Sequence, residues 1–181
     1  KVAKEKVILD SKRTTEILLE AFNIRTPKYN SEEPFFLFYL NWESKTFSKL
    51  NLKTKIFENC TSPANYPQTK CGVDVHNDYV YIFGGCNPNS NSYSYTSSGP
   101  LVSRYSIQTN QWTNMASMPV ARSVCCAVVL NDCIYVASAG TNSVSKYSPE
   151  TQAWSSIKAM TITRTNLRCV VLNNELYALG D

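Results

Sequence analysis

One pattern occurs twice in this chain at the same spacing, and it constrains the fold more than any other feature. Tyr105 is followed seven residues later by Trp112, and Tyr147 is followed seven residues later by Trp154. The two tryptophans are 42 residues apart. Each is followed by the motif Met-x-x-x-Arg. A repeat period of about 40 to 50 residues is typical of β-propellers, in which each repeat forms one blade.

Strand and turn signals recur at matching positions around these copies. Short apolar and β-branched runs come in pairs, and an Asn-Asp, Asn-Asn or His-Asn-Asp turn separates the two runs of each pair. Asn and Asp tolerate the left-handed backbone of tight turns, so each pair predicts a β-hairpin. The paired runs are 71–75 with 79–83, 123–130 with 133–137, and 167–172 with 175–179.

Gly84-Gly85 follows the second run of its pair, and Ala139-Gly140 and Gly180-Asp181 stand at the matching points of the later copies. Glycine permits a backbone path that is closed to residues with a Cβ, and it lets neighbouring chain approach closely. The Tyr and Trp side chains supply large apolar area, which we expect to pack one blade on the next.

A degenerate copy precedes these repeats. The run from Phe35 to Leu40 matches the strand before the glycine pair, and Leu50 and Phe57 stand where later copies have Tyr and Trp. Lys70 occupies roughly the place of the repeated arginine.

These features together resemble the kelch repeat, over residues 34–181. The resemblance implies an all-β fold of four-stranded antiparallel blades. About three to three and a half blades are visible, whereas the usual ring of this family has six. The expectation is therefore a partial β-propeller, from a partial chain.

The first 30 residues differ from the rest. Apolar residues at helical spacing between Thr14 and Phe22 predict a short helix, and Arg25-Thr26-Pro27-Lys28 ends it. Leu18-Leu19-Glu20-Ala21 and this linker resemble the end of the BACK domain in BTB-BACK-kelch proteins. The predicted domains are thus 1–30, a helix and linker, and 31–181, the partial propeller. The alternative is an unrelated capping helix.

Charge and cysteine content exclude several classes of function. The net charge is +4, and residues 1–31 contribute +3 of it. No basic stripe with interleaved aromatics occurs, so nucleic-acid binding is disfavoured, and no apolar run is long enough for a membrane span.

The seven cysteines have no metal-ligand spacing. We expect them, including Cys125, Cys126, Cys133 and Cys169, to be reduced, which implies a cytoplasmic location.

No catalytic constellation is evident. His76 is the only histidine and lies beside a predicted turn, so a hydrolase triad has nothing to build on. The carboxylates are scattered, and no phosphate-binding glycine loop is present. We therefore predict no enzyme activity, no cofactor and no metal. A kelch-type oxidase remains a minor alternative.

Residues 86–101 form an insertion between two predicted strands, rich in Asn, Ser and Tyr. This composition is typical of binding loops, because Tyr gives contact area at low entropic cost. Asn87, Tyr93 and Tyr95 are its candidate contact residues. The alternative is a disordered surface loop with no partner.

In kelch-like adaptors the partner contacts lie on one face, built from the loops after the glycine pair and from the Met-x-x-x-Arg element. An arginine there could form paired hydrogen bonds to an acidic degron. For Arg122 and Arg164 the alternative is structural, a repeated side chain that ties strands together. The matching positions in this chain are Thr141, Asn142, Arg122, Ser123, Arg164 and Thr165.

The resemblance implies a protein-binding module, with a protein substrate or degron peptide as partner. The leading hypothesis is the substrate-recognition domain of a cullin–RING ubiquitin ligase adaptor, in which an upstream BTB domain would bind the cullin. The second hypothesis is a cytoskeletal kelch protein that binds actin.

Overall fold

The computed structural model describes residues 36–41, 44–63, 70–85 and 99–181, and the backbone alone of residues 8–9. Every regular element in this part of the chain is a β-strand. The chain divides into two compact units, 1–62 and 63–181. The predicted helix at 14–22 and its linker lie outside the described residues and stay predictions.

The first unit contains one four-stranded sheet, the first blade, in the order β1-β2-β3-β4. Strands β2, β3 and β4 are antiparallel, while β1 pairs with β2 in parallel. Leu37 and Leu50 form its buried centre. The strands are β1 Ile8–Leu9, β2 Phe36–Asn41, β3 Thr46–Asn51 and β4 Phe57–Cys60.

The second unit contains two four-stranded antiparallel sheets, the second and third blades, and a two-stranded final hairpin. The strand order within each sheet follows the sequence, as expected for propeller blades. The second blade has β5 Gly72–His76, β6 Tyr79–Phe83, β7 Val102–Ser106 and β8 Gln111–Asn114. The third blade has β9 Cys125–Leu130, β10 Cys133–Ser138, β11 Val144–Ser148 and β12 Ala153–Ser156. The final hairpin has β13 Arg168–Leu172 and β14 Glu175–Leu179.

The seven-residue spacing has a simple structural meaning. Tyr105 and Trp112 are directly paired across β7 and β8, and Tyr147 and Trp154 are paired in the same way across β11 and β12. Their ring centroids are 5.2 and 4.8 Å apart. Leu50 and Phe57 make the same pair in the first blade, so the degenerate copy is also a blade.

The third blade packs on the second through these aromatic residues. The Tyr147 ring meets Tyr81 and Phe83 edge-on at 6.3 and 6.2 Å, and Trp154 meets Phe83 at 5.9 Å. Edge-to-face contacts at these distances are favourable for aromatic rings. The prediction that Tyr and Trp pack blade on blade is confirmed here. The first strands of successive repeats, β5, β9 and β13, lie side by side.

The expectation of reduced cysteines is wrong for one pair. Cys126 on β9 and Cys169 on β13 are joined by a disulfide, with their Cα atoms 5.8 Å apart. That separation lies in the ordinary range for disulfides. Cys169 lies one residue further along its strand than Cys126 does, because the two are 43 residues apart in a 42-residue repeat. They are paired with Ala178 and Ala137 in their own hairpins, and the packing of the first strands brings them together.

Candidate interaction face

One end of the blades in the second unit carries the longer connections, and we call it the loop face. The strand registers place the end of β6, the start of β7 and the end of β8 at this end, and likewise for β10, β11 and β12. The opposite end, the turn face, carries the tight turns. The loop face consists of residues 84–85, 99–101, 115–124, 139–143, 157–167 and 180–181.

The insertion lies where it was predicted. The connection from β6 to β7 runs from Phe83 to Val102, whereas the equivalent connection in the third blade runs only from Ser138 to Val144. Residues 86–98 lie outside the described part of the chain, and with them Asn87, Tyr93 and Tyr95. Their contact role stays a prediction.

Repeated backbone hydrogen bonds organise the loop face. In the second and third blades, the backbone N–H at the second glycine position donates to the carbonyl of the repeated arginine. The backbone N–H of the repeated methionine donates to the carbonyl of the residue two positions before the third strand of the blade, β7 or β11. These bonds are Gly85 to Arg122 at 3.0 Å, Gly140 to Arg164 at 3.1 Å, Met118 to Pro100 at 2.8 Å and Met160 to Asn142 at 2.8 Å.

Gly84 shows why the glycine pair is needed in the second blade. Its φ is +60°, in the left-handed region, and a Cβ at this position would collide with the carbonyl oxygen of Arg122. Glycine alone lacks the atom that would clash. The close approach predicted for the glycine pair is confirmed at this position.

Arg122 is a buried arginine, with 2% of its surface exposed. Its two terminal nitrogens donate to Ser138 Oγ at 3.1 Å, the Ser143 carbonyl at 3.1 Å, Ser143 Oγ at 2.9 Å and Ser145 Oγ at 3.1 Å. Its Nε has no hydrogen-bond partner among the described residues. Burial lowers the pKa of this guanidinium below its ordinary value. Through these hydrogen bonds Arg122 ties β10 to β11, which is the structural role given above as the alternative to partner binding.

Arg164 occupies the same repeat position but is partly exposed. It donates one hydrogen bond, of 2.5 Å, to the carbonyl of Gly180. The backbone N–H of Thr165 donates to the Asp181 carbonyl at 2.5 Å, and the Thr165 side chain is exposed. The same motif therefore presents a buried cation in one repeat and an accessible one in the next.

The other predicted contact residues have different environments. Ser123 is buried, at 5% exposure, while Asn142 is exposed. Thr141 is partly exposed, and its Oγ1 accepts from the Ser143 N–H and donates to Ser143 Oγ, both at 3.2 Å. Thr141 thus joins the network of serines around Arg122.

Two exposed aliphatic residues were not among the predicted contacts. Val120 and Ile162 are 51% and 54% exposed, and both stand two residues before the repeated arginine. Leu101, the residue before β7, is 49% exposed on the same face. The signal for Val120 and Ile162 was in the sequence, because an aliphatic residue recurs at a 42-residue interval beside a motif assigned to a loop.

Charge is divided between the two faces of the second unit. The accessible basic residues Lys158 and Arg164 lie on the loop face, together with the buried Arg122, and Lys70 and Arg168 lie at adjoining strand starts. Asp181 is the acidic exception. The turn face carries no lysine or arginine among the described residues. Its acidic residues are Asp78, Asp132, Glu150 and Glu175.

Among the described residues, no group of three or more His, Cys, Asp or Glu side chains is placed to hold a metal ion. That same portion of the chain also has no helix of sufficient length and apolarity to cross a membrane.

Comparisons with known proteins agree with this architecture. The Kelch motif family model matches residues 69–119, which cover the second blade. The chain is 30% identical over 77 residues to Beta-scruin of Limulus polyphemus, an alignment covering 42% of this chain and 8% of that protein. The solved structure titled "Structure of YjhT" has a TM-score of 0.65 at 16% identity, over 76% of this chain and 52% of that one. The chain thus spans a small part of the first and about half of the second. Residues 69–119 thus match a Kelch motif, and the described residues of that segment form a four-stranded blade, in a chain whose fold resembles that solved structure.

Proposed function

We propose that the loop face binds a protein segment that contains both acidic and apolar side chains, and that the chain acts as a binding module rather than an enzyme. The observation that carries this proposal is the coincidence, on one face, of the exposed aliphatic residues Val120 and Ile162 with the accessible cations Lys158 and Arg164. Depletion of acidic residues there favours an acidic partner, because like charges at an interface are unfavourable.

Each part of the face has a distinct chemical task. Arg164 makes a single described hydrogen bond, so its remaining guanidinium N–H groups are available to a carboxylate. The exposed aliphatic residues supply apolar contact area, which gives most of the driving force in protein association. Asn142 and Thr165, both exposed, add hydrogen bonds beside them.

We further propose that the bound segment is a degron, and that the protein is the substrate-recognition part of a cullin–RING ubiquitin ligase adaptor in the cytoplasm. The resemblance of Leu18-Leu19-Glu20-Ala21 and Arg25-Thr26-Pro27-Lys28 to the junction between BACK and kelch domains supports this. An upstream BTB domain would bind the cullin.

The test uses the full-length protein and two charge-reversal variants. Lys158→Glu with Arg164→Glu alters the loop face, and Asp132→Lys with Glu150→Lys alters the turn face as the matched control. We expect both variants to co-purify with a cullin, and only the loop-face variant to lose ubiquitination of its bound substrate. Failure of the unaltered protein to co-purify with a cullin would remove the adaptor proposal. Co-sedimentation with actin filaments would instead support the cytoskeletal alternative.

The insertion is tested separately. Deletion of residues 88–98 is expected to leave the unfolding transition unchanged and to weaken partner binding. Loss of cooperative unfolding would show that the segment has a structural role.

A further inference from the structure

The disulfide between Cys126 and Cys169 connects two elements of unequal size. Cys126 lies in the four-stranded third blade, and Cys169 lies in the two-stranded final hairpin. The bond spans 43 residues of sequence, close to one repeat. It therefore links the first strand of one repeat to the first strand of the next.

Apart from the disulfide, the final hairpin is held to the third blade by the packing of β13 beside β9. One of its sides faces the third blade through Cys169 and Ala178, which pack near the fully buried Leu167. The other side exposes Val170, Leu172, Tyr177 and Leu179, at 40–59%. A two-stranded hairpin is at best marginally stable alone, so a covalent link to a four-stranded blade restrains it strongly.

The end of the hairpin holds the side chain of Arg164, while the backbone carbonyl of this residue accepts a hydrogen bond from Gly140 of the third blade. Both Arg164 and Thr165 bond to carbonyls at the end of β14, those of Gly180 and Asp181. A shift of the hairpin relative to the third blade would therefore move these side chains on the loop face.

We propose that Cys126 and Cys169 form a reversible redox pair that clamps the final hairpin to the third blade and thereby fixes the loop face around Arg164. The clamp itself follows from the fold, and only its effect on binding rests on the proposed function. The paired side chains are a modification site whose two states are the disulfide and the dithiol.

The exchange partner would be a small disulfide such as oxidised glutathione. The Cys169 thiolate, on the half-buried side chain, attacks one sulfur of glutathione disulfide and releases one glutathione thiolate. The Cys126 thiolate then attacks the Cys169 sulfur in the mixed disulfide and releases the second glutathione. Two cysteine thiols are thus oxidised to one disulfide while one glutathione disulfide is reduced to two thiols. Excess reduced glutathione reverses the sequence.

The adjacent Cys125 is not placed to compete. Its side chain belongs to the core between the second and third blades, and its Cβ is 3.1 Å from where a Cβ on Gly72 would lie. Successive strand residues point to opposite sides, so Cys125 and Cys126 face different neighbours. Cys133, at the other end of the third blade and half-buried, is a suitable control.

The experiment equilibrates the purified full chain at a series of glutathione ratios, then maps disulfides by differential alkylation and mass spectrometry. We expect a link between Cys126 and Cys169 in the unaltered protein and in Cys133→Ser, forming and disappearing with the ratio. We also expect amide hydrogen exchange in 168–179 to be about tenfold or more slower in the oxidised form. Cys169→Ser and Cys169→Ala should both exchange at the rate of the reduced protein.

Absence of the link at the most oxidising ratio would overturn the proposal, as would equal exchange in the two redox states. A link that persists in excess reduced glutathione would overturn its reversibility. The unaltered protein alone gives these results, so a variant that fails to fold leaves the test intact. No partner is present in these measurements, so their failure is distinct from failure of the loop face to bind.

Discussion

The indole Nε1 of Trp154, on the outermost strand of the third blade, donates a hydrogen bond of 3.0 Å to the carbonyl oxygen of Ala116, in the loop that leaves the second blade. The same indole meets the Phe83 ring at 5.9 Å. One side chain thus contributes both a polar and an apolar link between two blades. The requirement for a large ring with an N–H explains the tryptophan at this position.

Replacement of Trp154 should therefore measure how much the blade interface stabilises the fold. Trp154→Ala is expected to lower the free energy of unfolding by about 3–4 kcal/mol, and Trp154→Phe, which loses mainly the hydrogen bond, by about 1–2 kcal/mol. Urea unfolding followed by circular dichroism gives both values. Ile162→Ala, at a 54% exposed site, is the control and should change stability by less than about 0.5 kcal/mol. Equal effects of Trp154→Ala and Ile162→Ala would contradict the interface described.

Gly84 and Gly99 form a matched pair for testing the close approach to Arg122. Gly84→Ala forces a Cβ onto the Arg122 carbonyl at a left-handed φ, and we expect it to destabilise by more than about 2 kcal/mol. At Gly99 the nearest atom of the described residues to an added Cβ is the Leu101 nitrogen at 3.9 Å, so Gly99→Ala should change stability by less than about 1 kcal/mol. Thermal unfolding of the two variants side by side decides this, and indistinguishable midpoints would be incompatible with the Gly84 contact.

Arg122 and Arg164 share a repeat position but differ in burial, which predicts different responses to the same substitution. Arg122→Met removes four hydrogen bonds and leaves buried serine hydroxyls without their donor, so we expect a loss of about 2–4 kcal/mol. Arg122→Lys should recover only part of this, because one ammonium group cannot reproduce the fork of a guanidinium.

Arg164→Met is the control for that substitution. It removes a single hydrogen bond from a partly exposed side chain, so the expected loss is below about 1 kcal/mol. Chemical denaturation measures all three variants. If Arg122→Met is no worse than Arg164→Met, the buried network does not stabilise the third blade.

Tyr147 gives a prediction for alkaline pH. Burial raises the pKa of its phenol above the ordinary 10.0, and its hydroxyl has no hydrogen-bond partner among the described residues. As the pH rises past 10.0, the unfolded chain loses this proton before the folded chain does, so folding stability falls. Burial raises the pKa of Tyr81 as well, and that phenol contributes with the same sign.

Tyr147→Phe should therefore flatten the decline in stability above pH 10 without abolishing it. At neutral pH it should leave stability equal or raise it by about 1 kcal/mol, since a buried hydroxyl without a partner is unfavourable. Urea midpoints on either side of pH 10 provide the measurement. An unchanged pH profile would mean that the Tyr147 phenol ionises as readily in the folded chain as in the unfolded one.

The sequence by itself determined the blade repeat and most strand positions. The repeated Tyr and Trp predicted the blades, and paired apolar runs around short turns predicted their hairpins. The structure adds that the two residues seven apart are cross-strand partners in all three blades. Such features are local, because a turn and an alternating pattern involve residues close in sequence. The insertion after the glycine pair was found for the same reason.

Only the tertiary structure decided which repeated residues are buried and which are accessible. Arg122 and Arg164 are identical in motif, yet the first is enclosed by three serines of the third blade while the second borders the final hairpin. The pairing of Cys126 with Cys169 likewise depends on how neighbouring first strands pack. The arginine contacts span 16 to 23 residues and the disulfide spans 43, and the spacing of a motif does not specify such contacts. The sequence therefore established the blades, while packing between repeats decided which face is open to a partner and which cysteines meet.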